Sequence, residues 1–315
     1  MASRAKVLAL ASQQTEQEVA AEQETLDANS LLRNANDEIK ACEHNARILL
    51  RDAVAFADVY FDAFLYRQRQ GSRDWTDTDD VQALCWLQAT HRVAGFKLWH
   101  VHSAMKLVAH ERERDSLKEF VNSLPAWDGT PRIDKAFADA WGASDDAVTR
   151  ASSRNFLIAL LARAIDPGAQ VDSVWCFEGH QGTYKSRSLR ALGRDYHAEI
   201  TAPIGTADFM RELRGLWIAE LSELDSLRAK EASTVKRLLS APSDRFVEKY
   251  DRYAQTYLRR AVAVATTNEA DYWQDPTGAR RLIPVRCGEI RVDLIENNRL
   301  QWFAEALVGY RAGST

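Results

Sequence analysis

A lysine and serine that follow a short glycine-bearing loop form a pattern able to hold a polyphosphate. The run here is Gly179-His180-Gln181-Gly182-Thr183-Tyr184-Lys185-Ser186. It follows an apolar stretch, Val171 to Phe177, and leads into a helical stretch through Leu192. Strand, loop, Lys-Ser and helix is the Walker A context. In that context the N–H groups of Gly179, Gln181, Gly182, Thr183 and Tyr184 and the helix N-terminus face the phosphates. Lys185 would neutralise the β- and γ-phosphate charge, and Ser186 would be a hydroxyl ligand for Mg²⁺. Tyr184 departs from the consensus, standing where glycine normally lets the backbone approach a nucleotide. Taken alone, the loop also fits a plain turn with an incidental Lys-Ser.

Other residues could complete a phosphoryl-transfer site. Leu216 to Leu221 is an apolar strand that ends among carboxylates. Glu220 is the candidate for holding the metal and Glu223 for activating water, with Asp225 as the alternative. Val262 to Thr267 is a second buried strand, tipped by Asn268, whose amide could orient a water against the γ-phosphate. Arg280 and Arg281 precede a further strand, and in a ring of subunits one of them could reach a neighbour's phosphate. Each feature by itself has an ordinary explanation. Their order along the chain makes them a set.

Between the two strands, Arg228 to Arg260 carries nine basic and four acidic residues, a local +5 in a chain of net −4. Tyr250, Tyr253 and Tyr257 are interleaved with the charges. Basic and aromatic side chains together suit single-stranded nucleic acid. A solvated helical face explains Arg228 to Leu239 equally well, so Asp244 to Arg260 is the candidate contact.

The elements that must position these groups are legible as patterns. Short β-rich runs alternate with helical ones after Gly168, which predicts βαβ units and a mostly parallel sheet. Before Gly168 the pattern is helical: Asp52 to Arg67 has an amphipathic face, and Trp75 to Asp80 offers capping chemistry for the next helix. The expected fold is therefore α/β. Residues 1–28 form a polar leader, helical or frayed, 29–168 an α-helical N-terminal domain, and 169–315 the domain with the phosphate loop.

Composition bounds the function. The 315 residues are 46% hydrophobic and 27% charged, which excludes wholesale disorder. The net charge of −4 excludes a globally basic binder but not a local patch. Cys42, Cys85, Cys176 and Cys287 lie far apart, giving neither a zinc pattern nor a disulfide framework. No signal peptide is apparent, and the run Phe156 to Ala162 is too short to span a bilayer. A soluble protein of a bacterial host cytoplasm is expected.

Several blocks together resemble the virulence-associated protein E family of phage and mobile-element P-loop ATPases, which are similar to superfamily 3 helicases. They are Trp127-Asp128-Gly129-Thr130-Pro131-Arg132, Asp166-Pro167-Gly168, and Glu178 through Ser186. Trp217 to Leu221 with Glu223-Leu224 matches the family's acidic strand. Thr266-Thr267-Asn268 with Asp275-Pro276-Thr277-Gly278-Ala279-Arg280-Arg281 is the most specific block. The resemblance runs from about residue 30 to the C-terminus. It implies a P-loop NTPase sheet of the ASCE/AAA+-like kind, with ATP and Mg²⁺ as cofactors.

The same resemblance implies a replication ATPase or helicase acting as an oligomeric, hexameric ring on single-stranded or forked DNA, often beside a primase. Arg280 or Arg281 would then act across the subunit boundary. A β-hairpin before the Asn-tipped strand would project into the ring channel, making Arg245, Lys249 and Arg252 the expected DNA contacts. No primase site is seen in residues 1–150, and little room is expected for a DNA-binding wing after Tyr310. The alternative expectation is a slow or non-hydrolysing, nucleotide-responsive ring or scaffold that organises DNA or a primase. Tyr184 favours it.

Overall fold

The computed structural model describes residues 30–222, 240–248, 252–268 and 281–313. They fall into two compact units. In the first, residues 30–63 and 67–114, helices α1 (Glu43–Asp52), α2 (Asp77–His91) and α3 (Leu98–Glu111) bury Leu50, Leu87, Val101 and Met105 in one core. The Thr76 N–H donates to Asp79 Oδ2 at 2.7 Å, so α2 starts where its capping residues predict.

The amphipathic helix expected over Asp52 to Arg67 does not form, and the first unit is not all-helical. The helix ends at Asp52, and β1 (Val59–Asp62), β2 (Arg67–Gln70) and β3 (Arg73–Asp74) make an antiparallel sheet. Val59, Tyr60 and Phe61 are β-branched or aromatic and fit a half-buried pleat better than a helix. Tyr66, at φ +55°, turns the chain into β2.

The second unit comprises 64–66 and 115–313 of the described residues. Helices α4 (Ser116–Asn122), α5 (Ala136–Trp141) and α6 (Ala147–Ile165) lead into an alternating series. That series is β4 (Val174–Glu178), α7 (Lys185–Gly193), β5 (His197–Glu199), α8 (Ala207–Glu212) and β6 (Ile218–Ser222). A hairpin of β7 (Ser243–Val247) and β8 (Ala254–Leu258) precedes β9 (Val262–Thr267), β10 (Leu282–Arg286) and α9 (Val292–Arg311).

The five-stranded sheet is parallel throughout, in the order β10-β4-β9-β6-β5. Both its faces are covered, as parallel sheets require. Trp175 and Phe177 point into a core with Phe137, Trp141, Phe156 and Phe303, while Val174 and Cys176 point into a second core with Phe209 and Leu221. The strand carrying the acids is separated from the loop strand by β9, the arrangement expected of an ASCE-type P-loop sheet. In register, Glu178 faces Thr267 and Ser222 faces Thr266, so β4, β6 and β9 end at one edge. Ligands of open α/β sheets sit outside that carboxyl edge.

The boundary expected at 168/169 lies instead at 114/115. The reason is packing. Phe137, Trp141, Phe156 and Leu160 share a core with Trp175 and Phe177, and Trp217 Nε1 donates to the Leu160 carbonyl at 2.7 Å. The helices between 116 and 165 are therefore one layer of the sheet unit. No helix among the described residues is long and apolar enough to cross a membrane.

Candidate functional site

The loop between β4 and α7 is shaped by backbone that only some residues tolerate. Gly182 has φ +85°, and a Cβ on Gly179 would meet the Cys287 carbonyl oxygen at 3.2 Å. Tyr184, immediately before α7, has φ +66° and ψ +25°. The tyrosine therefore holds the left-handed conformation for which glycine is the ordinary choice, at a cost of roughly 1–2 kcal/mol. Its ring is 58% exposed, and the Arg187 guanidinium lies 5.6 Å from the ring centroid. That distance is within cation–π range.

Lys185 is buried at the first position of α7. Its Nζ donates to the carbonyls of Gly179 at 2.6 Å and His180 at 3.0 Å, and to Asn268 Oδ1 at 3.0 Å. Burial lowers its pKa from the ordinary lysine value. Asn268 follows the end of β9, so the loop lysine and the amide at the strand tip meet.

Beside them, Ser186 Oγ donates to Glu220 Oε1 at 2.6 Å, and Thr266 Oγ1 donates to the same oxygen at 2.8 Å. His197 Nε2 lies 2.8 Å from Glu220 Oε2. Glu220 has no exposed surface. Burial pushes its pKa up, but hydrogen bonds from His197, Ser186 and Thr266 outweigh this and hold it below the ordinary value. The site therefore presents an ionised carboxylate beside a hydroxyl.

A cavity of about 390 Å³ opens over these groups, lined by residues 181–187 and 266–268. The donor set fits Mg²⁺: Ser186 Oγ and the Glu220 carboxylate are hard oxygens, and magnesium retains waters and substrate oxygens in its other positions. Among the described residues no group of three or more His, Cys, Asp or Glu could hold a metal ion.

Of the residues singled out in the sequence, Gln181, Gly182, Thr183, Tyr184, Lys185, Ser186 and Asn268 line the cavity, with Gly179 and Glu220 bonded directly to lining residues. Arg281 is not among the lining residues; its Nη1 donates to Ser240 Oγ at 3.0 Å. Glu223, Asp225, Lys249 and Arg280 lie outside the described residues. Arg245 and Arg252 are exposed, on β7 and just before β8, and Tyr253 beside them is 78% exposed.

Part of the basic stretch has another use. Arg259 makes two 2.6 Å hydrogen bonds to Asp244, and Arg260 bonds Asp115 at 2.6 and 3.1 Å. Both arginines are buried, so neither presents its charge to a nucleic acid. They clamp the base of the hairpin. The Trp127–Arg132 block is structural too: Arg132 pairs bidentately with Asp128, and Glu305 on α9 accepts from the N–H groups of Arg132 and Ile133.

Four site residues escaped the sequence reading: Arg187, Thr266 and Thr267, which line the cavity, and His197. Thr266 and Arg187 sit next to residues that were singled out, and the register of the strand tip could have revealed Thr266. His197 begins a strand with no local signal of its partner, because only the pairing of β5 with β6 brings it to Glu220.

A virulence-associated protein E-like domain family matches residues 121–315, a shorter span than the resemblance from about residue 30. No curated protein matches the chain. Among the solved structures that share the fold are two of one region. The apo structure of the NrS-1 C-terminal region (305–718) aligns with a TM-score of 0.52 at 14% identity, covering 86% of this chain and 75% of that one. The A form apo structure of the NrS-1 C-terminal region aligns with a TM-score of 0.51 at 13% identity, covering 82% and 68%. With a parallel sheet, a Lys-Ser loop and an acid-tipped strand in the matched region, this chain belongs to the virulence-associated protein E-like domain family.

Proposed function

We propose that this chain is a Mg–ATP-dependent DNA replication ATPase of a phage or mobile element, of helicase type, working as an oligomeric ring. The observation that supports it most is the meeting of Lys185, Ser186, Glu220 and Asn268, drawn from one helix and two strands, beside one cavity. The loop N–H groups and Lys185 bind the phosphate tail. Ser186 and Glu220 would hold Mg²⁺, which would supply charge neutralisation to the phosphates when bound. Asn268 orients the γ-phosphate and the attacking water, and Glu223 takes the water's proton as its oxygen bonds to phosphorus and the bridging bond breaks. With Arg281 engaged by Ser240, Arg280 is the residue we assign to a neighbour's site.

The DNA contact in this reading is the hairpin. Arg245, Arg252 and the exposed Tyr253 combine charge with a stacking ring, and Lys249 lies between Arg245 and Arg252 in the sequence. Steady-state ATP hydrolysis with and without single-stranded DNA tests the proposal, with Lys185→Ala as the blank. DNA-stimulated turnover that disappears in the variant is expected; turnover equal in both would overturn it.

Tyr184 favours a second reading, a nucleotide-responsive scaffold with slow or no hydrolysis, because its ring stands at the lip of the cavity. Nucleotide-dependent assembly without turnover would select that reading.

A further inference from the structure

His197 has no part in the phosphate chemistry described above, yet its side chain is buried against Glu220. Its side chain is 2% exposed and that of Glu220 1% exposed. The His197 Cβ lies against the last turn of α7, where a Cβ on Gly193 would meet it at 2.8 Å. Only a residue without a side chain lets the helix end approach so closely. Among the described residues His197 Nδ1 is buried with no hydrogen-bond partner, and the ring's polar contact there is to Glu220 through Nε2. In this contact the imidazole Nε2–H donates and the Glu220 carboxylate oxygen accepts.

The carboxylate is thereby divided. Oε1 takes the hydroxyls of Ser186 and Thr266, and Oε2 takes the imidazole. Remove the imidazole and the carboxylate is free to rotate about its terminal torsion, a broad, roughly two-fold potential. We propose that His197 is the positioning residue for the metal-binding carboxylate, its Nε2–H fixing Glu220 so that Oε1 stays turned to Ser186 and the phosphate cavity. This rests on the nucleotide-site reading above. Outer partners of this kind set metal affinity without touching the metal.

The test compares wild type with His197→Ala, His197→Leu and His197→Gln, the last placing an N–H near the position of Nε2. Mn²⁺ binding in the presence of ADP is followed by electron paramagnetic resonance. Binding of a fluorescent ATP analogue in EDTA reports the metal-free pocket, and thermal unfolding reports the fold. His197→Ala and His197→Leu are expected to weaken Mn²⁺ binding about tenfold or more, with His197→Gln recovering most of it. Metal-free nucleotide binding is expected to stay within about twofold in all of them, because the phosphate loop is unchanged.

Wild-type Mn²⁺ affinity in a folded His197→Leu protein would overturn the inference and leave the nucleotide site standing, since the ring would then be packing alone. If wild type binds neither the analogue nor Mn²⁺–ADP, the nucleotide-site reading falls and the inference with it.

Discussion

Lys185 Nζ and Asn268 Oδ1 lie 3.0 Å apart although 83 residues separate them in the chain. The contact joins the helix after the loop to the tip of β9, and both side chains line the same cavity. A charged donor to a neutral acceptor is among the stronger hydrogen bonds, so the amide has one preferred direction.

Asn268→Ala should therefore separate binding from turnover. The nucleotide still has the loop and Lys185, so KM is expected to change by no more than a few-fold. Loss of one oriented polar group should lower kcat about 100-fold or more. Steady-state kinetics against ATP checks the split, and an equal loss in both constants would assign Asn268 to ground-state binding.

Tyr184 stores strain, and two substitutions separate strain from the ring. Tyr184→Ala and Tyr184→Gly both remove the aromatic group, but only glycine relaxes the φ of +66°. The glycine variant should be about 1 kcal/mol more stable than the alanine variant in urea unfolding. If hydrolysis rises in Tyr184→Gly and not in Tyr184→Ala, close backbone approach was the limit on turnover.

The hairpin should divide into anchors and contacts. Asp244→Ala removes the carboxylate from a buried ion pair, and should cost about 3–5 kcal/mol of stability. Arg245→Ala, on an exposed position, should change stability by no more than about 0.5 kcal/mol. It should also weaken single-stranded DNA binding and reduce the slope of log K against log salt by about 0.7. Fluorescence anisotropy over a salt series measures both effects.

Asp79 predicts a pH dependence in the first unit. Hydrogen bonding to Arg73, with further help from Thr76, lowers its pKa from 3.8 to about 2. A depressed carboxylate stabilises the fold above its unfolded value and loses that contribution as pH falls through the folded one. Unfolding of the wild type should therefore lose stability between about pH 4 and pH 2 more steeply than Asp79→Asn. Parallel slopes in the two proteins would show that the capping pair does not couple to folding.

Cys287 should be the slow thiol. Burial pushes its pKa up to about 12, whereas Cys85 is exposed. Because the thiolate is the reactive form, iodoacetamide at mild alkaline pH should label Cys85 well before Cys287. Mass spectrometry of the time course checks the order.

Much of this was written in local sequence. Strands Val262–Thr267 and Leu282–Arg286 form where continuous β-rich runs predict them, and the loop from Gly179 to Ser186 lies between a strand and a helix as its residues require. These features depend on neighbours along the chain: apolar period, glycine backbone freedom and turn chemistry. Residues 52–67 went the other way, because apolar residues at mixed three- and four-residue steps serve a helix face and a short aromatic strand alike. Partnering was decided by the tertiary structure alone. Arg259 and Arg260 look like free charges in a basic run until Asp244 and Asp115 are folded against them. His197 carries no motif until β5 pairs with β6. The layer from 116 to 165 joins the sheet unit because its aromatic side chains interlock with Trp175 and Phe177, a long-range packing choice that composition does not encode.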